Sequence, residues 1–216
     1  RIILWMLRTY FPQMTNFLEI GCGTGFVLSS VQRSFPGLAI SGSEIFPQGL
    51  QFASERLLSA SLFQMDARHV PFQEEWDVIG AFDVLEHIDE DEAVLAEMFR
   101  ATKTGGGIVL TVPQHPWLWS AVDEYAFHKR RYTRAELVRK VEAAGFRILR
   151  LTSFITLLLP LLVISRFRKQ VVDDRELRIS RTVNNALLAV LGLERRLAQV
   201  FSLPVGGSLL LAAVKP

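Results

Sequence analysis

The chain predicts an α/β fold, a mostly parallel sheet with helices on both faces, on three observations. Short apolar runs alternate with stretches of helical periodicity from residue 16 onward. The first run, Asn16-Phe-Leu-Glu-Ile20, leads directly into glycines at alternate positions, Gly21, Gly23 and Gly25. The run from Trp76 to Phe82 is nearly all apolar, as a strand covered on both faces requires. A sheet of this kind receives its ligands outside the carboxyl ends of its strands, where the strand order reverses.

Each element follows from local physics. Glycines adopt backbone angles closed to other residues and let a ligand approach the main chain. Phe26, Val27, Leu28, Val31 and Phe35 then recur at helical spacing, so the turn opens a helix whose N-terminal amides face the ligand. Leu38 to Glu44 reads as the second strand, and Pro47 to Leu58 as its helix, with proline tolerated in the first turn. Ser61 to Met65 is the third strand and Trp76 to Phe82 the fourth. Asp89, Glu90, Asp91 and Glu92 crowd a helix start, with Arg100 and Lys103 near its end, an arrangement that matches the helix dipole; Gly105, Gly106 and Gly107 are expected to stop it. Ile108 to Val112 is the fifth strand. Thr133 and Glu136 form a capping box ahead of a helix with Leu137, Val138, Val141 and Ala144 on its core face, closed by Gly145. Phe146 to Leu151 and Ser208 to Val214 supply the sixth and seventh strands.

At 216 residues, half of them hydrophobic, the chain holds enough apolar surface for a single domain with a full core, and residues 1–216 are read as one. A net charge of +2, with no basic stripe interleaved with aromatics, points away from nucleic acid. The single cysteine, Cys22, lies in the glycine turn and cannot form an intrachain disulfide, which fits a cytoplasmic protein. No cleavable signal is evident, and the chain opens at Arg1. The longest apolar run, Phe154 to Ile164, is about 11 residues, against roughly 20 needed to cross a bilayer.

Glu19 followed by Gly21, Gly23 and Gly25 resembles the first motif of class I S-adenosylmethionine-dependent methyltransferases, and Phe82-Asp-Val-Leu-Glu-His87 resembles a signature of the branch that includes ubiquinone and menaquinone methyltransferases. The resemblance covers about residues 16 to 152 and the last strand. It implies a Rossmann-like seven-stranded sheet with S-adenosyl-L-methionine bound at its strand ends. The implied cofactor set is Glu19, Gly21, Cys22, Gly23, Gly25, Glu44, Ile45, Asp66, Ala67, Phe82, Asp83 and His87. Glu44, about 20 residues beyond the turn, is placed to accept both ribose hydroxyls. The resemblance gives Asp66 the adenine amino group, Glu19 the methionine end, and Phe82 and Asp83 backbone contacts. A dinucleotide fingerprint would need glycine where this chain has Phe26, which disfavours NAD(P) or FAD and an oxidoreductase.

The departure from that pattern is the stretch between the last two strands. About 50 residues lie there, read as a helical insertion over 153–205. It carries the run Phe154 to Ile164, a basic cluster (Arg166, Arg168, Lys169) and a helix with Val183, Leu187, Leu191, Leu197 and Phe201 on one side. The composition suits a cap on the acceptor site, a peripheral membrane contact or a homodimer face.

Chemistry beyond cofactor binding centres on the segment from His115 to Thr133, which is aromatic and polar at once, as pocket loops often are. His128 is the candidate base for an acceptor hydroxyl or amine. A brace bonded to Asp123 or to a backbone carbonyl is the competing role. Trp117, Trp119 and Tyr132 are candidate pocket walls or core. No metal site is read, because His69, His87, His115 and His128 show no local ligand pairing. The predicted activity is methyl transfer to a small-molecule or lipid-like acceptor; the alternative is a non-catalytic cofactor-binding module.

Overall fold

In the computed structural model, residues 1–57, 59–167 and 180–216 are described. The elements run α1 (Ile2–Tyr10), β1 (Asn16–Ile20), α2 (Phe26–Ser34), β2 (Ala39–Glu44), α3 (Pro47–Arg56), β3 (Ser61–Gln64), β4 (Trp76–Phe82), α4 (Asp91–Ala101), β5 (Thr102–Pro113), α5 (Ala121–Tyr125), α6 (Arg134–Ala143), β6 (Arg147–Phe154), α7 (Leu159–Phe167), α8 (Arg181–Val200) and β7 (Ser208–Val214). The seven strands form one sheet in the order β3-β2-β1-β4-β5-β7-β6. β7 runs antiparallel to both neighbours, and the other pairings are parallel. Strand order reverses between β1 and β4, so the glycine turn after β1 and the Asp83 turn after β4 meet at the switch point.

Successive side chains of a strand point to opposite faces, and β1 and β4 show both faces buried. Leu18 and Ile79 join one core with Met98 of α4 and Leu137 of α6. Phe17 and Val78 join the other with Met6 of α1 and Leu28 of α2. The α/β class, the seven strands and the helices before the last strand are as the sequence predicts.

Three details differ from the sequence reading. α4 stops at Ala101, so Lys103 and the three glycines belong to β5; the bulge between Trp76 and Val78 absorbs these extra residues at its start. Thr133 caps α6 by accepting from the Glu136 amide at 3.1 Å, but Glu136 turns to Lys140 instead of reciprocating. The full reciprocal box lies at Ser120 and Asp123, at the start of α5. In α8 the buried residues are Glu194 and Ala198, while Val183 and Leu191, with Phe201 just after the helix, leave the predicted apolar side exposed. Burial of Glu194 has a local reason: its carboxylate accepts the amides of Ile155 and Leu157, fastening α8 to the strained turn after β6. The basic cluster at Arg166, Arg168 and Lys169 lies outside the described side chains, and Leu58 outside the described residues. Among the described residues no helix is long and apolar enough to cross a membrane.

Candidate active site

A cleft of about 650 Å³ opens at the carboxyl ends of β1 to β4. On one side the glycine turn shapes its wall. Gly21, Gly23 and Gly25 all take positive φ (+69°, +50° and +73°). A side chain at Gly21 would meet Val84 Cγ2 at 2.5 Å, while one at Gly23 would meet nothing within 4 Å. Gly25 backs onto Ala53 of α3, so Gly23 is the turn's open point.

Glu44 ends β2 and binds this turn in place. Its Oε2 accepts the Gly23 amide at 2.9 Å, and its Oε1 accepts the amides of Ile45 and Phe46 at 2.8 and 3.2 Å. Oε1 is filled by its two amides, and Oε2 keeps one lone pair for a further donor, since a carboxylate offers about four acceptor positions in all. Asp66 follows β3 and lines the cleft with Ala67 and Arg68. The hydrogen-bonded guanidinium of Arg68, 2.8 Å away, pulls its carboxyl down to about 2. It is therefore a fixed anion at neutral pH.

Glu19 and Cys22 lie off the cleft wall. Burial alone lifts the Glu19 carboxyl well above its usual range, and its Oε2 has no partner. Burial, with Glu19 and Glu44 nearby, pushes the Cys22 thiol up to about 12 and leaves it an inert small hydrophobe. Phe82 closes β4 as part of the wall of apolar side chains beneath the turn.

The opposite side is assembled from distant segments. Asp83, at φ +55°, lines the cleft with its carboxyl raised by burial. His87 lines it too, its imidazole shifted down by burial and then by His128. Glu86, between them, is fully buried with neither oxygen partnered; burial and then Asp83 lift it to about 8. His128 packs edge-on to His87, ring centres 4.7 Å apart, and its Nδ1 lies 3.0 Å from Asp123 Oδ1. Asp123 also receives Arg131 Nε at 2.7 Å, and Arg131 Nη1 donates to the Gln114 carbonyl. Burial would raise Asp123, but Arg131 outweighs it and holds the carboxyl down.

Several sequence-predicted residues thus converge and others do not. Gly21, Glu44, Ile45, Asp66, Ala67, Asp83 and His87 share the cleft; Glu19, Cys22, Gly23, Gly25, Phe82 and His128 stand around it. Tyr132 is core, not pocket wall: it is fully buried and its hydroxyl donates to Asp91 at 2.6 Å. Trp117 and Trp119 are exposed and do not line the cleft, where Phe127 and Lys129 stand instead. Arg68, Phe127 and Lys129 were missed, although each adjoins a residue already singled out. The fold also brings ligand atoms of Glu86, His87 and His128 within 4.8 Å of one another, a grouping invisible to a search for local pairs.

A family model described as a methyltransferase domain matches residues 3–151, and the chain belongs to that family. Among its relatives, a ubiquinone biosynthesis O-methyltransferase of Aeromonas salmonicida is 28% identical over 152 residues, 62% of this chain and 63% of its own. A ubiquinone/menaquinone biosynthesis C-methyltransferase of Desulfotalea psychrophila is 28% identical over 101 residues, 45% of this chain and 41% of its own. The chain thus spans less than two thirds of either relative. Phosphoethanolamine N-methyltransferase 2 of Haemonchus contortus, solved with S-adenosyl-L-methionine, shares the fold at a TM-score of 0.67 and 21% identity, over 99% of this chain and 52% of that one.

Proposed function

We propose that this domain binds S-adenosyl-L-methionine and transfers its methyl group to a small or lipid-like acceptor. The observation that carries the reading is the convergence of Gly21, Glu44 and Asp66 on one cleft at the switch point, with the Gly23 amide held by Glu44 beside it. The residues fit the cofactor's parts: a carboxylate with an open acceptor position on Oε2 for a ribose hydroxyl, a permanent anion for an amino group, and a side-chain-free turn for the methionine end. Arg68 covers part of Asp66 and shares it with the adenine. Transfer is an in-line displacement in which the methyl carbon leaves sulfur with the bonding pair left behind, forms a bond to the acceptor atom, and the acceptor's proton passes to a base. Because the sulfonium is already activated, alignment supplies much of the rate.

His128 is the proposed base through Nε2, with Asp123 fixing the ring from the other nitrogen. Relatives named for ubiquinone and menaquinone biosynthesis support a ring-bearing, lipid-like acceptor. The exposed apolar side chains of α7 and α8, Leu161, Ile164, Leu188 and Leu193 among them, support a peripheral membrane contact or a second copy at 153–205 in a cytoplasmic, single-domain protein. One observation favours a non-catalytic cofactor-binding module: His128 does not line the cleft.

Calorimetry with S-adenosyl-L-methionine tests the binding half, and a labelled-methyl screen against quinones, sugars and polyketides tests transfer. With an acceptor in hand, His128→Gln is expected to lower turnover roughly 100-fold while cofactor affinity holds. Binding with no transfer across the panel would favour the module.

A further inference from the structure

The geometry points to a second site beside the cofactor cleft: we infer that Glu86, His87 and His128 bind one divalent cation of the zinc type. The three ligand atoms lie within 4.8 Å of one another although His128 is remote from the other two in sequence. Ligands at 2.0–2.1 Å from a tetrahedral zinc sit about 3.3 Å apart, so ring and carboxylate torsions must close the cluster by about 1.5 Å. Small side-chain rotations suffice for that.

The independent observation is Glu86. Its carboxyl is wholly buried, and neither oxygen has a hydrogen-bond partner. Buried polar side chains are normally hydrogen-bonded or bound to a metal. Arg131, the nearest guanidinium acting on it, already gives Nε to Asp123 and Nη1 to the Gln114 carbonyl. A cation between Glu86 and the two rings would satisfy it.

His128 is also oriented as a metal ligand is. Metal-binding imidazoles usually donate their second nitrogen to a carboxylate or carbonyl, which fixes tautomer and ring plane. His128 has Nδ1 on Asp123, leaving Nε2. Two imidazoles and one carboxylate suit zinc or cobalt, whereas magnesium and calcium prefer all-oxygen cages. Three protein ligands leave a coordination position open, and His87, as the cleft-lining member, turns it toward the cleft.

The test uses the untagged, chelator-treated chain. Co²⁺ is expected to bind one equivalent with micromolar or tighter affinity and ligand-field bands in the visible, Zn²⁺ to displace it, and excess Mg²⁺ to leave it in place. Glu86→Gln and His87→Asn, each checked for folding by circular dichroism, are expected to weaken binding at least 30-fold, and His69→Ala to leave it unchanged. A folded parent that binds no Co²⁺, or binding that survives both ligand substitutions, would overturn the site. The two uses of His128 Nε2 exclude one another, so the same titration decides between ligand and free base, while cofactor calorimetry reports separately on the proposed methyl transfer.

Discussion

Glu44 and Glu86 are two carboxylates beside one cleft, treated in opposite ways. Glu44 accepts three main-chain amides, from Gly23, Ile45 and Phe46, and is only half-buried. Glu86 is fully buried, and neither oxygen is bonded. The first has three of its acceptor positions filled by main-chain amides, two of them from its neighbours in the chain, so it works as a fixed part of a cradle. The second has no hydrogen-bond partner on either oxygen and, lifted to about 8 by burial and Asp83, keeps its proton at neutral pH unless a cation takes its place. The cradle side of the cleft is a rigid receptor, and the histidine side is where chemistry has been left open.

The largest expected effect tests what holds the open side together. Asp123 and Arg131 form a buried ion pair that positions His128, and breaking such a pair leaves a charge uncompensated. Arg131→Ala is expected to cost about 3–5 kcal/mol in urea unfolding. A cost under about 1 kcal/mol would mean that the loop carrying His128 is held by packing instead.

On the cradle side the glycines separate structure from ligand space. Gly21→Ala adds a left-handed strain to a collision with Val84 and is expected to cost about 2–4 kcal/mol of stability. Gly23→Ala carries the backbone strain alone, about 1–2 kcal/mol, because its methyl would meet nothing within 4 Å. Thermal melts with and without S-adenosyl-L-methionine check both; equal melts for the two variants would contradict the assignment of Gly23 as the open point. Glu44→Ala is expected to weaken cofactor binding by about 1–3 kcal/mol, measured by calorimetry. Unchanged affinity would remove Glu44 from the site and end the contrast with Glu86.

The same contrast explains what could be read in the sequence. Glu44 with its amide partners and Asp66 with Arg68 are local constructions, so strand ends and glycine spacing located them. The grouping of Glu86, His87 and His128 depends on the chain returning after β5, and Tyr132 went from candidate wall to core because Asp91, 41 residues away, accepts its hydroxyl. Periodicity gave the apolar side of α8, but not the polar anchor at Glu194, which fastens the helix to the turn after β6 and leaves that side exposed. Register at the start of β5 was hidden by a bulge, which no periodicity announces.

The smallest expected effect concerns Glu19, a second buried carboxyl with an unpartnered oxygen, on the cradle side. Burial raises its pKa in the folded chain above the ordinary value of 4.5. Below that value both folded and unfolded chains hold the proton, and the group adds no pH dependence. As pH rises past it, the unfolded chain releases the proton first while the folded chain keeps it. The unfolded state is then favoured progressively, so stability attributable to Glu19 falls with rising pH until the folded carboxyl itself ionises. Glu19→Gln fills the same space and cannot ionise. The variant is therefore expected to match the parent near pH 4 and to gain on it steadily toward neutral pH, read as the difference in urea midpoints at several pH values. A flat difference would show that Glu19 is ionised and compensated in the folded chain. The cradle would then hold a satisfied carboxylate at Glu19 as it does at Glu44, and Glu86 would stand alone as the uncompensated acid described beside this cleft.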